Sequence, residues 1–170
     1  MTLFDTLEQY AAPSAVPSGD AFGHFDAVAQ QATQRDLGDG IAAAMRSKAT
    51  PPFGETIGNL FGHSNPKQRA GALNEIMQSL GPAGMATAGG AILRRILGGG
   101  TGPTSSITPS QAAQVSPADM STIASHAEQQ NDSIVDRLGG FYAQHPTLVK
   151  TLGVAALGAV MSHMANRANA

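Results

Sequence analysis

The chain has 170 residues, enough for one domain with a real core or two small ones. Apolar residues make up 42%, charged residues only 13% and aromatics 5% with no Trp, so disorder is not expected and the core must come from Ala, Leu, Ile, Val and Met. A net charge of −2 argues against a nucleic-acid partner, and the absence of Cys removes disulfides, thiolate metal sites and Cys nucleophiles.

The first stretch, "MTLFDTLEQY", has neither a basic start nor an apolar h-region, so no standard secretory signal is expected and a cytoplasmic location fits. Residues 2–12 suit a short amphipathic helix, with Leu3, Phe4 and Leu7 opposite Asp5 and Glu8. The two prolines of "AAPSAVPSG" (11–19) break it and mark a linker. From Asp20, Phe22, Phe25, Val28, Ala29 and Ala32 recur at helical spacing and predict one buried face. "DLGDG" (36–40) is expected to interrupt, with a further short helix over Ile41–Lys48 closed by "TPP" at 50–52.

Phe53, Ile57, Leu60 and Phe61 then form an apolar face. Ser64 or Asn65 with Pro66 reads as the start of a helix that buries Leu73, Ile76, Met77 and Leu80 and stops at Gly81-Pro82. In "AGMATAGGAILRRILGGG", Met85, Ile92, Leu93, Ile96 and Leu97 are apolar. Gly89-Gly90 inside that pattern costs roughly 1 kcal/mol per Gly relative to Ala, which predicts a close approach to a neighbouring helix. "GGGTGPTSS" (98–106) has linker composition and is the expected subdomain boundary.

The phrase "ITPSQAAQVSPADM" carries two helix starts. Thr108 caps, Pro109 occupies the first position and Gln111 reaches back; Ser116, Pro117 and Asp119 repeat the arrangement eight residues later. This predicts a helix of about two turns, a corner, and a longer helix ending near Gln130. Another begins at Asn131 or Asp132, with Ile134, Val135, Leu138, Phe141 and Tyr142 on its apolar side. His145-Pro146 opens a last helix that is apolar nearly all round. Its uncharged run from Thr151 to Asn166 would span about 24 Å, short of the ~30 Å hydrocarbon core, so a buried helix is expected. No segment has a strand period. The expected fold is an all-α, compact multi-helix bundle. Its parts would be an N-terminal short helix and linker (1–19), a helical subdomain (20–97), the linker (98–106) and a second helical subdomain (107–170).

Candidate chemistry is sparse. His24, His63, His126, His145 and His163 show no metal-ligand spacing; there is no nucleophile elbow, and "GGGTGPTSS" lacks the lysine of a phosphate loop. No enzyme activity, cofactor, metal or small-molecule substrate is expected. Charge divides unevenly: residues 66–100 carry four bases and one acid, and Arg94-Arg95 is the sole cluster there. The sharper reading lies in the small-residue segments. Gly89, Ile92, Arg94, Arg95 and Ile96, and the stripe Thr151, Ala155 and Ala159, are candidates for an interaction surface. The expected partner is a second copy or another protein, with a membrane surface as the alternative.

The stretch "ITPSQAAQVSPADM" with "SHAEQQNDSIVDRLGGFYAQHPTLVKTLG", together with "MTLFD" and "LGGG", resembles small bacterial proteins of the YidB-like family, chiefly over residues 54–160. The resemblance implies a bacterial, helical, cytoplasmic protein and carries over no catalytic residue.

Overall fold

The computed structural model of the chain describes residues 3–11, 20–96, 98 and 106–169. Among them are eleven α-helices, one 3-10 turn and no strand, so the fold is all-α. Helices divide between two compact units: residues 1–51 with 139–170, and residues 52–138.

The first unit holds α1 (Leu3–Glu8), α2 (Ala21–Gln31) and α3 (Gln34–Met45). It also holds the C-terminal part of α9 (Ser133–Ala143), α10 (Pro146–Val149), a 3-10 turn (Lys150–Leu152) and α11 (Val154–Ala168). In α1, Leu7 is buried; the side chains of Leu3 and Phe4 lie outside the described ones, as do residues 12–19 of the expected linker. α2 buries Ala21, Phe25 and Val28, while Ala29 and Ala32 are half-buried. Phe22, expected on that face, is instead 43% exposed. It lies three residues before Phe25, and the strip closed by Ala21, Phe25 and Val28 is too narrow to include it.

The expected break at "DLGDG" is overturned: α3 runs straight through it. The chain turns earlier, at Ala32-Thr33, where Thr33 Oγ1 accepts the Asp36 N–H at 3.1 Å and gives its own proton to the Asp36 carboxylate at 2.6 Å. The two glycines are packing positions. A Cβ at Gly38 would stand 3.0 Å from the Gly140 Cα, and one at Gly139 would stand 2.6 Å from the Gly38 carbonyl oxygen. At Gly40 it would meet Val160 and Met164 of α11 at 3.1 Å. Backbone approaches that close are open only to residues without a side chain, and the contact offsets the helix-propensity loss.

The single last helix of the sequence reading is also corrected. Pro146–Leu152 and Val154–Ala168 meet at 119°. Gly153 sits at φ 87°, ψ 175°, a conformation L side chains rarely adopt, and this is what allows the turn. The bend folds α11 back so that Ala156, Leu157, Val160, Met161, Met164 and Ala165 are buried. Among the described residues no single helix is long and apolar enough to cross a membrane.

The second unit contains α4 (Phe53–His63), α5 (Pro66–Gly84), α6 (Ala88–Ile96), α7 (Pro109–Ala112), α8 (Pro117–Gln130) and the start of α9. Phe53, Ile57, Leu60 and Phe61 of α4 are all buried as expected; each contributes roughly 1.5–3 kcal/mol of apolar transfer energy. α5 opens on a complete capping box: Asn65 Oδ1 accepts the Gln68 N–H at 2.9 Å and Gln68 Oε1 accepts the Asn65 N–H at 3.0 Å. Met77 is half-buried beside fully buried Leu73 and Ile76. Gly81, at φ 58°, kinks the chain where a stop was expected, and one more turn follows through Pro82.

Arg69 closes the end of α4. Its Nε donates to the Phe61 and Ser64 carbonyls, both at 3.0 Å, and its guanidinium lies 4.9 Å from the Phe61 ring centroid. α7 is one turn long, shorter than the two turns expected. The expected boundary at 98–106 falls within this unit, and residues 99–105 of it lie outside the described residues. The residue that follows the segment, Ile107, is tied to α5. The Asn74 carboxamide accepts the Ile107 N–H at 2.7 Å and donates to the Ile107 carbonyl at 3.2 Å.

Candidate functional site

The small-residue pattern that carries most weight was legible but unread: Gly54, Gly58 and Gly62 recur every four residues along α4. Opposite them, Pro117, Ser121 and Ser125 recur every four residues along α8. A Cβ at Gly54 would stand 2.0 Å from Ser125 Oγ and 2.6 Å from the Ser121 carbonyl oxygen. At Gly58 it would stand 2.8 Å from the Pro117 carbonyl oxygen, and at Gly62 3.5 Å from Pro117 Cγ. The four-residue repeats place one smooth stripe against another, as ridges in grooves. These glycines serve the interior of the unit.

Gly89 does the same for α6. It is buried, and a Cβ there would lie 3.2 Å from the His126 Cβ and 3.5 Å from the Ile123 Cα, both on α8. Leu93, one turn on, is 0% exposed. This leaves the rest of α6 outside: Ile92 and Ile96 are half-buried, and Ala88, Ala91, Arg94 and Arg95 are exposed. Neither arginine forms an ion pair among the described residues. The neighbouring Leu97 lies outside the described residues.

The second candidate stripe is divided by the bend. Thr151 is exposed on the 3-10 turn, where its hydroxyl donates to the Leu148 carbonyl at 2.6 Å. Ala155 is exposed and Ala159 half-buried on α11, and Val154 is 37% exposed beside them. The three residues therefore do not form one helical face.

The opening caps of α7 and α8 are formed by the expected residues. Thr108 Oγ1 accepts the Gln111 N–H at 3.3 Å, and Gln111 Oε1 accepts the Thr108 N–H at 2.9 Å, with Pro109 at the first position. Ser116 Oγ accepts the Asp119 N–H at 3.0 Å above Pro117. Both partners take the cap's hydroxyl proton, Gln111 Oε1 from Thr108 at 3.0 Å and the Asp119 carboxylate from Ser116 at 2.8 Å, but Asp119 does not reach back to the Ser116 N–H, so the expected second capping box is only half made. The Asp119 side chain is one methylene shorter.

The histidines are dispersed. His24 Nδ1 lies 3.0 Å from Tyr10 Oη, and His63 Nδ1 2.9 Å from the Asn59 carbonyl. His145 packs edge-on to Phe141, 5.1 Å between centroids. Among the described residues no three His, Asp or Glu side chains gather where they would hold a metal ion. Lys150 pairs with Asp26 at 2.8 Å, Arg167 with Asp39, and Arg137 with Glu75 at 3.9 Å. All are at least partly exposed, and pairs of this kind each contribute under about 1 kcal/mol.

No protein-family model matches the chain, and no curated protein or solved structure matches it.

Proposed function

We propose that this is a non-enzymatic helical protein that works through packing surfaces, associating with a second copy of itself or with another protein. The observation that carries this reading is the outer face of α6. Gly89 and Leu93 close its inner side. On the outer side Ile92 and Ile96 stay partly in water beside two arginines that have no ion pair among the described residues. A half-covered apolar strip flanked by guanidinium groups suits the centre of a protein interface, where Arg is enriched and Lys depleted. The reading takes the protein to be bacterial and cytoplasmic, supported by the YidB-like resemblance over residues 54–160. Sedimentation velocity across a hundredfold concentration range tests it. Association is expected for the wild type and its loss for Ile92→Asp/Ile96→Asp, with unchanged far-UV circular dichroism. A wild type that stays monomeric, with no protein captured from its native cell through this face, overturns it.

The same face supports a second reading, attachment to a membrane surface. Ile92 and Ile96 would enter the acyl boundary, and Arg94 and Arg95 would meet anionic headgroups at about 1 kcal/mol each. Co-sedimentation with vesicles containing phosphatidylserine separates the two; no bound fraction removes this reading.

A further inference from the structure

Phe22 is a large apolar side chain that the first unit leaves in water. Among the described residues only two such side chains are exposed, Phe22 at 43% and Val154 at 37%. Phe22, Asp26 and Ala29 follow one another at four- and three-residue steps, so they share one flank of α2. Asp26 is paired with Lys150 at 2.8 Å. Asp20, exposed at the start of α2, has no ion pair among the described residues. α2 therefore presents an aromatic knob with carboxylates beside it.

The outer side of α6 has the opposite character. Ala88, Ile92 and Arg95 follow one another at the same four- and three-residue steps, with Ile96 one turn beyond Ile92. Ala88 is small and exposed, Ile92 and Ile96 are half-buried, and Arg95 is exposed next to them. Charge divides between the two regions in the same sense. Residues 1–34 carry four acids and no Lys or Arg, whereas residues 76–118 carry two bases, Arg94 and Arg95, and no acid. One chain thus bears an apolar surface set among acids and another set among bases, which is the complementarity that fixes partner and register at an interface.

We infer that the outer face of α6 takes the α2 flank of a second copy of this chain. Phe22 of one copy seats on Ala88, Ile92 and Ile96 of the other, and Arg95 meets the carboxylates of Asp20 and Asp26. Aromatic residues and Arg are the types enriched at the centre of interfaces. The inference deepens the association reading and rests on it: it names the occupant of the α6 face, and it makes the contact one between unlike surfaces.

Because unlike surfaces meet, two variants that each lack one of them still make the contact once when mixed. Phe22→Ser and Ile92→Asp/Ile96→Asp are each expected to raise the concentration of half-association by at least about tenfold in sedimentation velocity, with far-UV circular dichroism unchanged. Mixed in equal amounts, they are expected to form a one-to-one complex at concentrations where each alone is monomeric. A misfolded chain could not present its remaining surface, so the mixture is also the control for folding. Arg95→Glu, at an exposed position, is expected to give the same readout without touching the half-buried isoleucines. Association of Phe22→Ser equal to that of the wild type, or mixtures that stay monomeric with both α6 variants, overturns the inference and leaves the association reading standing. A monomeric wild type overturns the inference together with the self-association on which it rests.

Discussion

Substituting Gly58 by Ala puts a methyl 2.8 Å from the Pro117 carbonyl oxygen and 3.1 Å from the Ser121 Cβ. The carbonyl belongs to the first turn of α8, which the Ser116 cap and Pro117 hold in place, so it cannot yield alone. Overpacking of this kind costs about 1–3 kcal/mol. Helix propensity returns about 1 kcal/mol on replacing Gly by Ala. Because the clash is with a backbone oxygen and not with a side chain that could swing away, the upper half of the overpacking range applies, about 2–3 kcal/mol, and Gly58→Ala is expected to destabilise the unit by about 1–2 kcal/mol net. One turn further on, Gly62→Ala meets only Pro117 Cγ at 3.5 Å, an ordinary contact. There the propensity gain stands alone, and the variant should be more stable by up to about 1 kcal/mol. Gly54→Ala, 2.6 Å from the Ser121 carbonyl, should be the least stable of the three. Urea denaturation followed by far-UV circular dichroism measures all three. A Gly58→Ala protein as stable as the wild type, or a Gly62→Ala protein less stable than it, would refute the packing account of the stripe.

Three further outcomes can be checked in the same assay. Thr108→Ala and Ser116→Ala each remove a cap acceptor and should cost about 1 kcal/mol; if a partner interaction were lost with stability unchanged, the phrase at 107–119 would be a recognition motif instead. Asn74→Ala leaves both backbone groups of Ile107 without their partner and should cost about 2–3 kcal/mol, the part-buried donor and acceptor each losing a hydrogen bond. Gly153→Ala places a methyl on a backbone at φ 87° and should cost about 1–2 kcal/mol, with thermal melting as the readout.

What could be read from the sequence follows from how far each interaction reaches along the chain. The caps at Thr33, Asn65, Thr108 and Ser116 depend on atoms three residues away, and three of the four were placed from sequence pattern. The apolar faces at Phe53–Phe61 and Leu73–Leu80 repeat every three to four residues and were equally plain. Glycine was the failure. "DLGDG" reads as a break because a glycine's local cost is visible, whereas the reason to keep it lies about a hundred residues away, at Gly139 and Gly140. The α4 stripe was missed for the same reason: Gly54, Gly58 and Gly62 acquire meaning only beside Pro117, Ser121 and Ser125. Phe22 shows the opposite limit, since spacing identifies a helix but not how wide its covered strip is. For the candidate interaction surface, the exposure of Arg94 and Arg95 was legible from charge. The separation of Thr151 from Ala155 was not, because a single glycine at 153 turns the chain through 119°.

The contact between α4 and α8 also bears on how distant relatives of this chain can be recognised. Core positions such as Ile57, Leu60 and Ile123 accept one another's aliphatic side chains when total volume is kept, so their identities drift readily. Positions 54 and 58 have no such latitude, because backbone oxygens occupy the space a side chain would need. A sequence in which every aliphatic core residue had changed would still keep glycine at those two positions. It would also keep small residues in the facing register at 121 and 125. The pattern of what is missing from the side chains would outlast the pattern of what is present.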